Sequence, residues 1–316
     1  MKASIREQAM LLGPRRTLVG ILAQAASSPP DAERPMVLIL NSGIIHRVGA
    51  NRLSVALARE LAAAGFPVLR FDLSGIGDSE PRADGLAPLD AAMADIREVL
   101  GSLEAIRGTR RVVLAGLCSG ADHAAIFSAS DSRVVGLVLL DPSIPKTRGY
   151  YLRYYGMRLG RPGTLLNVLR GRHPMWFWMK TRMAGAPRPP PESFEPDLQS
   201  AEIRAYLEGV YRSSVERGVQ FLAVFTAGHE RIHNYREQLL DAFPGVRFGE
   251  RLRLEYFGDS DHTFTPGVAR ERLVRLVVDW ASGANFPTAR GPDGAEPSSE
   301  ARARASAIPA SRPATP

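Results

Sequence analysis

Residues 112–122 read VVLAGLCSGAD, and Cys118 inside that run is the chain's single cysteine. An apolar strand-like stretch ends there, Gly116 and Gly120 bracket the sulfur, and a helix-compatible segment follows. Strand, G-x-nucleophile-x-G, helix is the pattern of a sharp turn that forces its central residue into strained backbone geometry, which requires small neighbours. Ser119 does not satisfy the same spacing, because its preceding flank would be Leu117. At the head of a helix the backbone dipole and free amides favour a thiolate. A nucleophile needs a base, and six histidines are available. His262, in EYFGDSDHTFTP, follows the last strand-like run and precedes the last helical one, which places it at the carboxyl edge of a parallel sheet beside Cys118. His46, His123, His173, His229 and His233 lack that combination. A carboxylate should orient the imidazole. Glu230, after VQFLAVFTA, is the first choice and Asp141, after RVVGLVLL, the second; Asp261 adjoins His262, and neighbouring side chains in an extended loop diverge.

A competing pattern lies at residues 229–233, HERIH, which satisfies H-E-x-x-H. A zinc pair of that kind must share one face of a helix. Here Gly228 and an apolar strand immediately precede it, and Arg231 would set a cation between the two ligands. Glu250 and Glu255 are the candidate third ligands, and the latter falls within a strand-like run. The pattern therefore reads as a loop carrying Glu230, with no metal and no cofactor expected.

The elements that must hold these groups alternate in type. QAMLLG and TLVGILAQA, separated by PRR, read as an antiparallel hairpin. PMVLILN, PVLRFDL, RRVVLAGL, RVVGLVLLD, VQFLAVFTA and RLRLEYF are strand-like. NRLSVALARELAAAGF, LDAAMADIREVLGSLEAI, NYREQLLDAF and VARERLVRLVVDWA carry apolar residues at helical spacing. Such alternation implies an α/β fold with a mostly parallel sheet covered on both faces. Residues 142–218 break the rhythm and read as an inserted helical cap between core segments 1–141 and 219–282. Residues 283–316, rich in Ala, Pro, Ser and Arg, read as a disordered tail.

Of the 316 residues 45% are hydrophobic, enough for a large core, and the formal net charge is +7. Lys146 to Arg188 holds ten Lys or Arg and no acidic residue, so that segment alone accounts for the excess. It reads as a solvated face or as a surface that meets an anionic carrier or a membrane. No nucleic-acid-binding signature accompanies it. One cysteine excludes an intramolecular disulfide. No apolar stretch is long enough for a signal peptide or a membrane span, which makes a cytoplasmic location the expectation.

Taken together, LNSGIIHRVGANR, GFPVLRFDLSGIGDSE, LAGLCSGA and GDSDHTF resemble the α/β-hydrolase superfamily over roughly residues 8–282. Asp72 to Ser79 matches the D-x-x-G-x-G-x-S loop of that superfamily. Within it the chain resembles serine-aminopeptidase-like hydrolases, especially those encoded with exosortase and polysaccharide-export systems. It departs from them in carrying Cys for the nucleophilic Ser and Glu for the usual Asp. The resemblance implies an α/β-hydrolase fold and an oxyanion hole formed by the amides of Ser119 and Ile44. Gly43 would let the backbone approach a substrate, and His46 with Arg47 would line the pocket. Cap aromatics, among them Tyr154 and Trp176, would line an acyl pocket or fasten the cap to the body. The expected reaction is covalent acyl transfer to water through Cys118 and His262. Thioesters, esters and lactones suit a sulfur nucleophile better than amides. An acyltransferase on the same residues, and a catalytically idle partner in an export or biosynthetic assembly, stay open as alternatives.

Overall fold

The computed structural model describes residues 4–26, 34–159, 170 and 198–287. Strands β1 (Ile5–Leu12) and β2 (Leu18–Ala25) form the expected hairpin, paired from Ile5↔Ala25 to Leu12↔Leu18. There follow β3 (Met36–Ile39), α1 (Leu53–Ala63), β4 (Val68–Phe71), α2 (Pro88–Arg107), β5 (Val112–Leu117), α3 (Ser119–Ser128) and β6 (Val134–Leu140). The chain continues with α4 (Arg148–Leu159), α5 (Ala201–Glu216), β7 (Gln220–Thr226), the short α6 (Gln238–Ala242), β8 (Leu252–Phe257) and α7 (Gly267–Gly283).

The eight strands among the described residues join one sheet in the order β1-β2-β4-β3-β5-β6-β7-β8, antiparallel at β1/β2 and β2/β4 and parallel elsewhere. Parallel strands are covered on both faces and so must be apolar throughout. Every residue of β3, β4, β5 and β6 is buried, Arg70 included, whose guanidinium reaches Glu7 Oε1 at 3.0 Å. β1 lies at the sheet edge and keeps most of its side chains in solvent. Leu57 and Leu61 of α1 and Leu273 and Val277 of α7 pack with Val37, Val113 and Val138 on one face. Ile96 and Val99 of α2, Phe127 of α3 and Tyr211 of α5 pack with Leu38, Leu114 and Leu137 on the other.

β3 occupies the interior of the order although it comes before β4 and β5 in the chain. Its connection through α1 runs to β4 on one side, and α2 then carries the chain back past it to β5 on the other. Connections that leave in opposite directions open a crevice at the carboxyl ends of β3 and β5, where open α/β sheets bind ligands.

Three expectations change. α5 falls inside the expected cap, yet Val210, Tyr211, Ser214 and Val215 are buried and Tyr211 belongs to the main core. It is the helical crossover between the parallel strands β6 and β7, so the core begins again before residue 219. Residues 160–169 and 171–197, with Trp176, Phe177, Trp178 and His173, lie outside the described residues. The expected tail begins on the body: Phe286 packs edge-on to Trp280 at 5.6 Å, and its carbonyl accepts from Arg111 at 3.0 Å. An aromatic that covers the bare backbone of Gly136 in β6 has buried surface to gain. Finally, the helix expected over NYREQLLDAF is confined to Gln238–Ala242; the Gln238 carboxamide turns inward, donating to Ile232 O at 2.9 Å and accepting from Asn234 N at 3.1 Å. Among the described residues no helix is long and apolar enough to cross a membrane.

Candidate active site

Cys118 stands between the last residue of β5 and the first of α3 with φ 56° and ψ −123°, a conformation that L-residues adopt only when their surroundings enforce it. The enforcement is visible. Cys118 N donates to Leu140 O at 2.9 Å, and its carbonyl accepts from Ala121 N at 2.8 Å. A Cβ on Gly116 would lie 2.2 Å from the carbonyl carbon of Gly120, and one on Gly120 would lie 2.4 Å from Asn41 O. Both glycines are therefore required by close backbone approach. The thiol is half-buried. Asp122, one turn into α3, takes Ser143 N and Ser143 Oγ at 2.8 and 2.7 Å and so ties the helix start to the segment after β6. Burial pushes its carboxyl up to about 6 against those two hydrogen bonds.

The turn after β3 faces this elbow. Gly43, at φ 54°, donates its N–H to Ser119 Oγ at 2.7 Å, and Ile45 N closes onto Ser42 O at 3.0 Å. Ile44 projects outward, 83% exposed, at the mouth of the crevice. Its amide and that of Ser119, which heads α3 where N–H groups have no intrahelical acceptor, are thus carried by two segments that are clipped together. The D-x-x-G-x-G-x-S loop supplies the foundation. Asp72 is fully buried, accepts from Arg47 N at 2.6 Å and Asn41 Nδ2 at 3.2 Å, and forms an ion pair with the Arg47 guanidinium, which also reaches Asp78. Asn41 Oδ1 accepts from Leu73 N at 2.7 Å. A Cβ on Gly77 would strike the Asp72 carboxylate. Ser79 Oγ donates to Asp72 O at 2.7 Å and accepts from Val19 N at 2.9 Å, fastening the loop to β2. Arg47 is accordingly a brace of the turn. His46 is exposed and, with Arg47, lines a small recess against α1 that also takes in Leu57 and Leu117.

His262 occupies the loop between β8 and α7, within interaction range of the Cys118 thiol. Its Nδ1 lies 2.9 Å from Asp141 Oδ2. The orienting carboxylate is therefore Asp141, the second choice from sequence, and the expectation for Glu230 is corrected. Glu230 is exposed at the end of a 3₁₀ turn over Ala227–His229. Asp141 caps β6, the strand adjacent to β5, and is turned inward with φ 45° while its N–H donates to Val224 O at 2.8 Å. Its Oδ1 accepts from Thr226 N at 2.7 Å and its Oδ2 from Thr226 Oγ1 at 2.6 Å. His233 Nε2 lies 3.0 Å from Oδ1, off the line of a good hydrogen bond, and its ring is fully buried against Phe225 at 4.6 Å.

The HERIH run therefore folds around the site without forming a zincin pair. His229 packs its ring 4.0 Å from that of His262, while His233 drops behind Asp141, their own rings 5.5 Å apart. Gly228 makes this possible: its N–H donates to Ser260 O at 3.1 Å, and a Cβ there would lie 2.4 Å from Asp261 Cα and 2.7 Å from His262 N. Sequence reasoning set His229 and His233 aside. The available signal was a glycine followed by two histidines directly after a buried strand. Tyr154 is half-buried and stacks on Tyr150 at 5.7 Å; Tyr150 OH in turn donates to Arg231 O at 3.1 Å. These rings fasten α4 to the HERIH segment. Trp176 lies outside the described residues.

The charges follow from the contacts. Burial opposes a charged His262, but the hydrogen bond to Asp141 and the interactions with Asp141 and Cys118 outweigh it and raise the ring to about 9. Burial likewise opposes an ionised Asp141, yet the contacts with His233, His262 and Thr226 hold it below the usual carboxylate range. His229 is driven down to about 4 by burial first and by the His262 charge second. The contacts thus favour the charged form of the ring between Asp141 and Cys118 and the neutral form of the ring beside it. Among the described residues, one ligand atom each from Asp141, His229 and His262 falls within 4.8 Å of the others.

A profile of the alpha/beta hydrolase family matches residues 44–299, most of the chain. The chain belongs to the alpha/beta hydrolase family. No curated protein sequence matches it significantly. Among solved structures, this alpha/beta hydrolase is similar to the Pyrococcus furiosus esterase Pf2001, with a TM-score of 0.53 at 14% identity over 89% of this chain and 91% of that one. It also resembles a cold-adapted esterase from an Arctic intertidal metagenomic library, at TM-score 0.50 and 14% identity over 88% and 94% of the two chains. A protein from Thermoplasma acidophilum described as a predicted CIB-like hydrolase gives TM-score 0.50 and 14% identity over 88% and 98%. At such identities the likeness is one of fold, and it agrees with the eight-stranded sheet described above.

Proposed function

We propose that this alpha/beta hydrolase cleaves esters or thioesters through a covalent acyl-enzyme, with Cys118 as nucleophile, His262 as proton carrier and Asp141 as the group that orients it. The observation that supports this reading is the strained apex of Cys118 within interaction range of His262, whose Nδ1 is anchored 2.9 Å from a buried carboxylate. Sulfur attacks the carbonyl carbon, the C=O pair moves onto oxygen, and the amides of Ser119 and Ile44 receive that charge. As the oxyanion collapses, the bond to the leaving alcohol or thiol breaks, and that group takes a proton from His262. Water then attacks the acyl-thioenzyme while His262 accepts its proton, and the sulfur departs with the acid released. A ring held near 9 suits this cycle, since it carries the proton the leaving group needs.

The cations between Lys146 and Arg188 favour an anionic leaving group such as a carrier-bound thiol. The test is intact-mass analysis after brief exposure to an aryl ester and to acyl-coenzyme A thioesters of graded length. A rapid gain of one acyl group, lost in Cys118→Ala, and release of free acid at a matching rate are expected. Absence of any adduct on the wild-type protein with every substrate overturns the proposal.

A further inference from the structure

The proposed chemistry uses Cys118, His262 and Asp141 and leaves His229 without a task. That imidazole is half-buried, its side chain makes no hydrogen bond among the described residues, and its ring faces His262 at 4.0 Å. It is not there by accident of a floppy loop. The 3₁₀ turn that carries it is pinned to the His262 loop by Gly228 N to Ser260 O, and the two backbones approach so closely that only glycine fits. Two imidazole nitrogens and one carboxylate oxygen, from His229, His262 and Asp141, therefore converge within 4.8 Å.

That donor set is of the kind Zn²⁺ and related borderline ions take. Bonds of about 2.0–2.2 Å place tetrahedral ligand atoms roughly 3.3–3.5 Å apart, with a fourth position left for water. Asp141 and His262 already sit at 2.9 Å, so closure asks for a side-chain adjustment on the order of 1 Å in a half-buried ring. The outer contacts that orient metal ligands are also built. Thr226 N holds Asp141 Oδ1 at 2.7 Å and Thr226 Oγ1 holds Oδ2 at 2.6 Å, while the buried His233 ring backs the carboxylate with Nε2 3.0 Å from Oδ1. This grouping differs from the one the HERIH spacing suggests, because His233 stands behind the carboxylate and His262 comes from another loop.

We propose that Asp141, His229 and His262 form a binding site for a divalent transition-metal ion, Zn²⁺ foremost, and that filling it stops turnover. A cation there takes a lone pair of His262 and the charge of Asp141, so the ring can no longer pass a proton between Cys118 and a leaving group. Binding rests on the geometry alone; the loss of turnover rests on the function proposed above.

Titration of the chelator-treated full-length protein with ZnCl₂ against a chromophoric competitor tests the first half without any substrate. One equivalent should bind. His229→Ala should weaken it at least tenfold, within the roughly 10–100-fold that perturbed metal sites lose. Cys118→Ala should bind within about threefold of wild type, because the thiol is outside the ligand set, and its cooperative thermal melt shows that the fold is kept. Visible d–d bands on Co²⁺ addition, present in Cys118→Ala and absent in His229→Ala, give a second readout. Turnover of wild type, assayed with and without Zn²⁺, should fall and return with EDTA. The fractional inhibition should shrink in His229→Ala. Undiminished binding in His229→Ala, binding lost in Cys118→Ala, or no stoichiometric binding by wild type overturns the metal site. Stoichiometric binding with unchanged turnover overturns only the inhibitory role, and if no substrate is turned over the competitor titration still decides the site.

Discussion

Exchange of Asp141 for Asn replaces one carboxylate oxygen by an NH₂ and should disable the site for a reason that can be followed bond by bond. The carboxylate makes three hydrogen bonds, to Thr226 N at Oδ1 and to Thr226 Oγ1 and His262 Nδ1 at Oδ2, and has His233 Nε2 3.0 Å from Oδ1 without a well-aligned bond. A carboxamide has only one acceptor oxygen. The Thr226 backbone amide cannot reverse its role, whereas a threonine hydroxyl can, so the oxygen must take the Oδ1 position and the NH₂ the Oδ2 position. That NH₂ donates to His262 Nδ1 and fixes the neutral ring with its hydrogen on Nε2, facing Cys118. No lone pair then remains to take the thiol proton. The wrong tautomer in a comparable triad costs about 10⁴-fold, and on the order of 10³–10⁴ is expected here, equivalent to roughly 4–5.5 kcal/mol. Loss of the anion should also drop His262 from about 9 toward 6.5. Ester hydrolysis measures the first effect, and NMR titration of the His262 ring protons measures the second. Glu230→Gln, at an exposed position, should change kcat/KM by less than about twofold. The reasoning fails if Asp141→Asn keeps kcat/KM within tenfold of wild type, or if Glu230→Gln produces the large loss instead.

The same pair makes stability depend on pH. His262 is raised, so its contribution is complete below 6.5 and lost as pH climbs through about 9; Asp141 is lowered, so its contribution is present above 3.8 and lost on acidification. The difference in thermal midpoint between wild type and Asp141→Asn should be widest between about pH 4 and 6.5 and narrow toward pH 9 and above. Gly228→Ala would set a methyl 2.4 Å from Asp261 Cα and push the His262 loop outward. A loss of about 1–3 kcal/mol in urea unfolding, with a fall in kcat/KM, is expected. Arg47→Leu strips the buried Asp72 of its cation while the amide donors remain. About 1.5–3 kcal/mol should be lost, with slower turnover because the turn carrying Ile44 loses its brace.

Local chemistry made much of this protein legible from its residues. The elbow is written in Gly116, Cys118 and Gly120, since close backbone approach admits no side chain at the flanks. The parallel sheet is written in runs such as VVLAGL and VVGLVLL, which are apolar throughout because both faces are covered. His262 follows from its place after the last strand. Strand order is not local, and it decided the rest. β6 lies beside β5, so the residue capping β6 reaches His262; β7 lies one strand further out, so the turn after it delivers His229 and His233 and leaves Glu230 in solvent. The same topology made α5 a crossover of the core, since two parallel neighbours, β6 and β7, must be joined across a face of the sheet. Residue types and spacing determined which groups could react; the packing of the sheet chose among them, because a hydrogen bond depends on distance in space and not on separation along the chain.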